Sequence, residues 1–268
     1  MNKLLINKED KIFIAGHNGM VGQAINRALI AKGYKNIVKV DKSTLDLRDQ
    51  FKVNKWFDEN RPSIIIIAAA KVGGIYANQS YPVEFLLDNL KIQNNLIECS
   101  WKYKSKRLLF LGSSCIYPKY SDQPIKEEYL MSSKLETTNE SYAIAKITGI
   151  KLCDALKKQY NFDCFSLLPT NLYGPGDNYD LKNSHVIPAL IKKFSDAKIN
   201  KKDNVFCWGD GSPKREFLHV DDLAEACVFT LEKFNPGILK SSEDKEYNDL
   251  NYLNVGTGIE ISIYDLAY

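Results

Sequence analysis

A tyrosine and a lysine four positions apart, Tyr142 and Lys146, are the side chains of this sequence best suited to proton transfer. In an α-helix, positions four apart lie on one face, so both side chains would point into the same cleft. A free phenol has a pKa near 10 and is a poor acid at neutral pH. A lysine cation one turn away favours the phenolate, so we expect Lys146 to lower the pKa of Tyr142 toward the working range. The pair alone is weak support for an enzyme, because tyrosine and lysine are common on helix surfaces.

A glycine-rich turn, Gly16-His-Asn-Gly19-Met-Val-Gly22, gives the pair a context. The turn follows a predicted strand at residues 11–15 and precedes a predicted amphipathic helix at residues 21–32. A strand, a glycine turn and a helix place free backbone N–H groups at the helix start, where a pyrophosphate binds. The G-x-x-G-x-x-G spacing is typical of extended short-chain dehydrogenases. The simpler alternative is a turn that only allows the strand and helix to pack closely.

Length and charge fit a soluble enzyme. The 268 residues are enough for one large domain and a smaller lobe, and the net charge of +3 does not favour nucleic acid or membrane as a partner. The longest apolar run, residues 64–70, is too short to span a bilayer and predicts a buried parallel strand. Because Glu9 and Asp10 precede any apolar stretch, we expect no signal peptide.

Cysteine and histidine spacing predicts neither disulfides nor a metal site. The six cysteines contain no C-x-x-C pair, and the three histidines, His17, His185 and His219, make no H-x-x-x-H. We therefore expect most of the thiols to be small buried side chains in a reducing cytoplasm, and no bound metal.

Apolar segments alternate between strand and helix patterns. Strands are predicted at residues 11–15, 37–41, 64–68, 107–112 and 164–168, and helices at residues 21–32, 83–101 and 141–160. This alternation predicts an α/β fold, a doubly wound parallel sheet with ligands at the carboxyl ends of its strands. After Pro169 the pattern loosens, which predicts a second, smaller lobe. We assign residues 1–170 and 216–235 to the dinucleotide domain and residues 171–215 and 236–268 to the smaller lobe, with surface loops at 196–204 and 235–251.

Seven motifs occur in an order that resembles the GDP-L-fucose synthase family of the extended short-chain dehydrogenases/reductases. They are the glycine turn, Ala68-Ala-Ala-Lys-Val-Gly-Gly74, Gly112-Ser-Ser-Cys-Ile-Tyr-Pro118, Tyr142-Ala-Ile-Ala-Lys146, Pro169-Thr-Asn-Leu-Tyr-Gly-Pro175, Asn183-Ser-His-Val-Ile-Pro188 and Arg215-Glu-Phe-Leu-His-Val-Asp-Asp222. The resemblance covers the chain from about residue 11 to its end. It implies a Rossmann-type fold, a homodimer, NADP(H) as cofactor and GDP-4-keto-6-deoxy-D-mannose as substrate. The implied reaction is epimerisation at C3 and C5 followed by reduction at C4.

The same resemblance assigns the catalytic residues. Cys115 and His185 occupy the positions of the acid–base pair that inverts C3 and C5, and free thiols and imidazoles have pKa values that suit this near pH 7. Tyr142 would protonate the C4 oxygen, Ser113 would hydrogen-bond that oxygen, and Lys146 would also bind the nicotinamide ribose. Ser114 is the alternative to Ser113. Without the family, Cys115 would be read as a buried thiol and His185 as a residue at a helix start.

Cofactor and substrate contacts are implied in the same way. The cofactor-binding positions are Gly16, Asn18, Gly19, Met20, Val21, Gly22, Asp41, Lys42, Ala69, Lys71, Lys146, Pro169, Asn171, Leu172 and His185. The substrate-binding positions are Lys193, Trp208 and Arg215. Arg215 suits a diphosphate because its guanidinium forms forked hydrogen bonds, whereas Lys193 could equally lie on a solvated helix face.

The sequence departs from the family in two places. Relatives often carry arginines where this chain has Asn18 and Lys42, and an acidic residue such as Asp41 often binds the ribose hydroxyl of NAD. The family also extends past the position of Tyr268, so we expect some substrate contacts to be missing. A reductase or an epimerase acting on another GDP-4-keto sugar is a same-class alternative. A non-catalytic dinucleotide-binding scaffold is an alternative from another class, which Ser113, Tyr142 and Lys146 disfavour.

Overall fold

The computed structural model describes residues 4–181, 183–235 and 251–268. Most of the predicted loop at residues 235–251 therefore lies outside the described residues. The strands are β1 Ile12–Ala15, β2 Ile37–Val38, β3 Ile64–Ile67, β4 Arg107–Leu111, β5 Cys164–Pro169, β6 Asn171–Tyr173, β7 Lys214–His219, β8 Tyr252–Val255 and β9 Glu260–Ser262. The helices are α1 Met20–Ala31, α2 Gln50–Asn60, α3 Ile75–Ser80, α4 Pro82–Lys102, α5 Glu140–Tyr160, α6 Val186–Ile199, α7 Val220–Lys233 and α8 Ile263–Ala267.

Six strands form a parallel sheet in the order β2-β1-β3-β4-β5-β8. The four isoleucines of β3 are fully buried, as expected for a central strand covered on both faces. Side chains alternate between the faces, so Phe13 and Ile65 enter the core under one helix layer while Ile12 and Ile14 enter the other. Helices α4 and α5 pack together, as do α1 and α7. The prediction of a doubly wound parallel α/β sheet is confirmed.

A second, three-stranded sheet has the order β6-β7-β9. Strand β6 runs parallel to β7, and β9 runs antiparallel to it. The division into two domains stays a prediction, but the positions of two strands do not follow it. Strand β7 begins at Lys214, before the predicted bound at residue 216. Strand β8, given to the smaller lobe, pairs with β5 in the parallel sheet because its residues hydrogen-bond along Ser166–Pro169.

Two local predictions were wrong. The stretch at residues 196–204 was predicted as a loop, but its first four residues continue α6 to Ile199. Its polar residues lie on the exposed face of the helix, where Lys192 and Asp196 form an ion pair at 2.7 Å, while Ala197 is buried. Strand β2 ends at Val38 rather than at residue 41. Within the described ranges, none of the helices is both long enough and apolar enough to cross a membrane.

Candidate functional site

The glycine turn between β1 and α1 has no room for a side chain at Gly16 or Gly22. Gly16 has φ of 89°, and a Cβ there would lie 2.6 Å from the backbone nitrogen of Ala69. A Cβ on Gly22 would lie 2.1 Å from the carbonyl oxygen of Gly16. Gly19 is the N-cap of α1 and offers no side chain to the first N–H groups of Met20 and Val21. The turn and helix start therefore fit the diphosphate of a dinucleotide.

Three side chains meet beside this turn, where β2 has ended. The amide Nδ2 of Asn18 donates to Oδ1 of Asp41 at 2.6 Å, and Nε2 of His17 lies 3.4 Å from the same oxygen. Lys42 follows Asp41 and is exposed. The predicted cofactor residues Asn18, Asp41 and Lys42 therefore lie together, and His17 joins them as a residue that the sequence reasoning had not placed there.

The loop after β3 brings Ala69 against Gly16 and carries Lys71. A buried asparagine on α4 fixes this loop, because Oδ1 of Asn89 accepts from the N–H of Lys71 at 2.8 Å and its Nδ2 donates to the Lys71 carbonyl at 3.0 Å. Asn89 is 2 % exposed, so both bonds are partly shielded from water. The sequence reasoning missed it, although a polar residue on the apolar face of a long helix was the available signal.

We expect Asn89→Ala to weaken NADPH binding as well as the fold. The substitution removes two hydrogen bonds to the Lys71 backbone, and each such bond contributes about 0.5–1.5 kcal/mol. Asn95→Ala is the matched control, since Asn95 lies on the same helix and donates to the carbonyl of Leu47 at 2.9 Å. Urea unfolding should show a loss of stability in both variants, and NADPH titration should show weaker binding only for Asn89→Ala. Equal NADPH affinities in the two variants would contradict a role for Asn89 in placing the loop.

The loop at the carboxyl end of β4 joins Ser113 and Cys115. The hydroxyl of Ser113 donates to Sγ of Cys115 at 3.1 Å, and the Cys115 N–H donates back to the Ser113 oxygen at 3.4 Å. Burial raises the pKa of the Cys115 thiol, while the Ser113 hydrogen bond and the charge of Lys146 oppose that rise. Among the described residues, Ser113 and not Ser114 places its hydroxyl on the thiol.

The chain after Cys115 is tied to the edge of the parallel sheet. The hydroxyl of Tyr117 donates to Oδ1 of Asn254 in β8 at 2.7 Å, and the N–H of Asn254 donates to Glu127 at 2.8 Å. These bonds brace the loop that carries Ser113 and Cys115.

Helix α5 places Tyr142 and Lys146 beside that loop. Tyr142 interacts with the Ser113 hydroxyl and the Cys115 thiol, and its ring lies edge-on to Phe85 at 6.4 Å. We expected Lys146 to lower the pKa of Tyr142, but burial raises that pKa, and the Ser113 hydrogen bond only partly offsets it. Nζ of Lys146 donates to the Leu111 carbonyl at 2.8 Å, which directs it to the end of β4.

Lys146 is 4 % exposed, and burial lowers its pKa from 10.5 to about 8. Between these values the unfolded chain binds more protons than the folded chain, so the stability of the folded chain rises with pH. Below about pH 8 the folded chain carries the full cost of a buried cation. We therefore compare the free energy of unfolding of Lys146→Met with that of the unaltered chain. The difference, variant minus unaltered chain, should be largest below pH 8 and should fall as the pH rises toward 10.5.

Urea unfolding of the cofactor-free protein across this pH range measures the difference. Lys91→Met is the control, because Lys91 is an exposed lysine of α4 and its removal should give no such trend. A stability difference between Lys146→Met and the unaltered chain that is constant with pH would contradict the burial argument.

His185 lies at the start of α6 and is exposed. The chain before it packs on the loop after β3, since the N–H of Gly74 donates to the Asn183 carbonyl at 3.2 Å and a Cβ on Gly74 would lie 2.7 Å from the Ser184 oxygen. Burial raises the pKa of Asp177, and the charge of His185 opposes this, so the two side chains are neighbours. In the described part of the chain, no hydrogen bond or ion pair joins His185 to Cys115. Their action as a pair stays a prediction.

The remaining predicted cofactor residues follow β5. Pro169 ends that strand and is buried, while Leu172 lies in β6 and packs against the core. Nδ2 of Asn171 donates to the Glu216 carbonyl at 3.0 Å, so this amide joins β6 to β7. All three residues lie at the carboxyl edge of the parallel sheet.

Two of the three predicted substrate residues meet in the smaller lobe. Nζ of Lys193 donates to the Phe206 carbonyl at 3.0 Å and lies 4.8 Å from the ring of Trp208. Trp208 is 76 % exposed and borders a groove of about 280 Å³ that Tyr264 also lines. Arg215 lies apart on β7 and donates to the Lys214 carbonyl at 2.7 Å. An exposed indole beside a lysine can stack on a base and attract a phosphate.

Comparisons with known proteins agree with this geometry. Residues 12–241 match the NAD dependent epimerase/dehydratase family. GDP-L-fucose synthase 1 of Arabidopsis thaliana is 50% identical over 261 residues, which cover 97% of this chain and 77% of that protein. GDP-L-fucose synthase of Escherichia coli (strain K12) is 46% identical over 259 residues, covering 97% and 79%. A GDP-L-fucose synthetase structure from Naegleria fowleri, bound to NADP, has a TM-score of 0.84 and 28% identity, and the match covers 100% of this chain and 84% of that one. The chain therefore belongs to the NAD dependent epimerase/dehydratase family and, within it, to the GDP-L-fucose synthases.

Proposed function

We propose that this chain converts GDP-4-keto-6-deoxy-D-mannose to GDP-L-fucose by epimerisation at C3 and C5 followed by NADPH-dependent reduction at C4. The observation that carries the proposal is the meeting of Ser113, Cys115, Tyr142 and Lys146 at the carboxyl end of β4, next to a dinucleotide turn. The 50% sequence identity to GDP-L-fucose synthase 1 of Arabidopsis thaliana supports the choice of this sugar.

Epimerisation needs two groups that exchange protons with opposite faces of the sugar. The C4 ketone acidifies the hydrogens at C3 and C5, and their removal leaves an enolate whose charge rests on the C4 oxygen. Cys115 is one proposed proton carrier and His185 the other. The hydroxyls of Ser113 and Tyr142 would donate to the enolate oxygen and stabilise its charge. Replacement of a proton on the opposite face inverts each centre, and no net proton is gained or lost.

Reduction uses the same oxygen. NADPH, when bound, supplies the hydride to C4. Tyr142 donates a proton to the C4 oxygen as its negative charge develops, and Ser113 holds that oxygen in place. Burial raises the pKa of Tyr142, so the phenol keeps its proton at neutral pH and is a weaker acid than a free phenol until negative charge develops on the C4 oxygen and draws the proton from it. Lys146 lies under Tyr142, where its ammonium group would bind the nicotinamide ribose.

The nucleotide would bind the smaller lobe. Trp208 offers an exposed ring for the guanine, and Lys193 and Arg215 offer positive charge for the diphosphate. Their positions beyond the carboxyl edge of the parallel sheet are consistent with a sugar held between the lobe and the nicotinamide.

A panel of GDP-keto sugars tests the proposal and its alternatives. We expect NADPH oxidation with GDP-4-keto-6-deoxy-D-mannose and a product identified by NMR as GDP-L-fucose. A product with the D-manno configuration at C3 and C5 would support a reductase, and inversion without NADPH oxidation would support an epimerase. NADPH binding without turnover of any sugar in the panel would support the scaffold.

We also infer a homodimer through α4 and α5. These helices pack together and carry the exposed apolar side chains Val83, Leu87 and Ile144. Val83 and Leu87 lie one turn apart on α4, and exposed apolar residues on one helix face favour a protein interface. Light scattering after gel filtration should give a dimer mass, and Leu87→Glu should shift it to a monomer. Ile30→Glu is the control, since Ile30 is an exposed apolar residue of α1. A dimer mass for Leu87→Glu would contradict this interface.

We further infer a cytoplasmic location. All six cysteines are free thiols, and four of them, Cys99, Cys153, Cys164 and Cys227, are buried. Free thiols without disulfides are typical of a reducing compartment. Fractionation of cells followed by detection of the protein tests the location, and its recovery from a secreted fraction would contradict it.

A further inference from the structure

Asp41, three residues after the end of the short strand β2, reaches back to the glycine turn. Oδ1 of Asp41 accepts a hydrogen bond from Nδ2 of Asn18 at 2.6 Å, and Nε2 of His17 lies 3.4 Å from the same oxygen. Asn18 is itself fixed, because Nε2 of Gln23 in α1 donates to the Asn18 carbonyl at 2.8 Å. Asn18 therefore holds one oxygen of the Asp41 carboxylate by a hydrogen bond, and His17 lies near the same oxygen without a hydrogen bond to it.

This contact lies where NADH and NADPH differ. The adenosine ribose of NADH carries a 2′-hydroxyl, which a carboxylate accepts well, whereas NADPH carries a 2′-phosphate, which a carboxylate repels. Lys42, one residue further, attracts the phosphate as a point charge. The side chain of Asp41 is 66% exposed, so solvent weakens both effects without removing them.

We propose that Asn18 sets the cofactor preference of this chain by holding the Asp41 carboxylate on the glycine turn. Held there, the carboxylate is fixed on the turn through Oδ1 rather than free to follow the ribose hydroxyl, and the phosphate-binding position beside Lys42 stays open. Without Asn18, the carboxylate is free to turn toward the ribose, where it binds the hydroxyl of NADH and repels the phosphate of NADPH. This inference rests on the proposed use of NADPH and adds the residue that determines it.

Four variants separate the contributions: Asn18→Ala, Asp41→Asn, the double variant and Lys42→Ala. Dissociation constants for NADPH and NADH are measured by isothermal titration calorimetry without any sugar, so that turnover plays no part. We expect the unaltered chain to prefer NADPH. Asn18→Ala should lower the ratio of NADPH to NADH affinity by about 2- to 5-fold, the range for one exposed charged contact.

Asp41→Asn should raise that ratio, since the substitution removes the charge and keeps the shape. In the Asp41→Asn background, Asn18→Ala should no longer change the ratio, because the carboxylate it controls is absent. Lys42→Ala should weaken NADPH binding alone. Asn60→Ala is the matched control, since Nδ2 of Asn60 donates to the Trp56 carbonyl at 3.0 Å in α2, and its loss should leave the ratio unchanged.

An unchanged ratio in Asn18→Ala would overturn this inference, and so would an equal fall of the ratio with and without Asp41. Both results leave the proposed reaction standing. Failure of the unaltered chain to bind either cofactor would instead overturn the proposed function, and the inference with it.

Discussion

Tyr142→Phe should lower the rate of NADPH-dependent reduction by about 10²–10⁴, the usual loss when a positioned acid is removed. The substitution keeps the ring packed against Phe85 and deletes the hydroxyl that interacts with Ser113 and Cys115. Lys146 still donates to the Leu111 carbonyl, so we expect NADPH to bind normally. Deuterium exchange at C3 and C5 should fall less than reduction, because Ser113 still stabilises part of the enolate charge. Single-turnover NADPH oxidation and proton NMR of the sugar measure the two steps.

Tyr34→Phe is the control for Tyr142→Phe. Tyr34 is also buried, and its hydroxyl donates to Glu232 at 2.8 Å. It lies between the end of α1 and the start of β2, at the amino edge of the parallel sheet, whereas the proposed site lies at the carboxyl edge. Its removal should cost stability and leave reduction near normal. Near-normal NADPH oxidation by Tyr142→Phe would rule out Tyr142 as the proton donor.

Cys115→Ser should slow deuterium exchange at C3 and C5 by about 10²–10⁴, the range for a lost acid–base group. A serine hydroxyl is a far weaker acid than a thiol, and the burial that raises the pKa of Cys115 would act on the hydroxyl as well. The hydroxyl is nearly isosteric and can keep the hydrogen bond to Ser113. We therefore expect NADPH binding to be retained while GDP-L-fucose formation falls with exchange.

Cys99→Ser serves as the control for Cys115→Ser, because Cys99 is a free thiol of α4 whose pKa burial also raises. This control variant should catalyse deuterium exchange at C3 and C5, and reduction of the sugar, at the rates of the unaltered chain. Exchange at the normal rate in Cys115→Ser would remove Cys115 from the proposed mechanism.

Sequence periodicity was enough to predict five of the six strands of the parallel sheet and the helices α1, α4 and α5. The isoleucine run at 64–67 has the continuous apolar character of a strand buried on both faces, and that strand lies in the middle of the sheet. The Tyr142 and Lys146 spacing predicted one helix face, and both side chains do lie beside the Ser113 loop. The family resemblance was confirmed by the matches to known proteins.

Features that depend on tertiary contacts were not predictable in the same way. Helix α2 was missed because only Val53 and Phe57 of its residues are buried, which leaves a mostly polar pattern. The roles of Asn89 and His17 depend on loops that meet only in the fold. The direction of the Tyr142 pKa shift was wrong because a sequence gives the spacing of a cation but not the burial that outweighs it.

The most direct test of the proposed reaction is to run it in heavy water. GDP-4-keto-6-deoxy-D-mannose and NADPH are incubated with the unaltered chain in deuterium oxide, and the product is analysed by NMR and mass spectrometry. We predict GDP-L-fucose carrying deuterium at both C3 and C5, with NADPH consumed in equal amount. A reduced sugar without deuterium at C3 and C5, with its original configuration at both carbons, would contradict the proposed function.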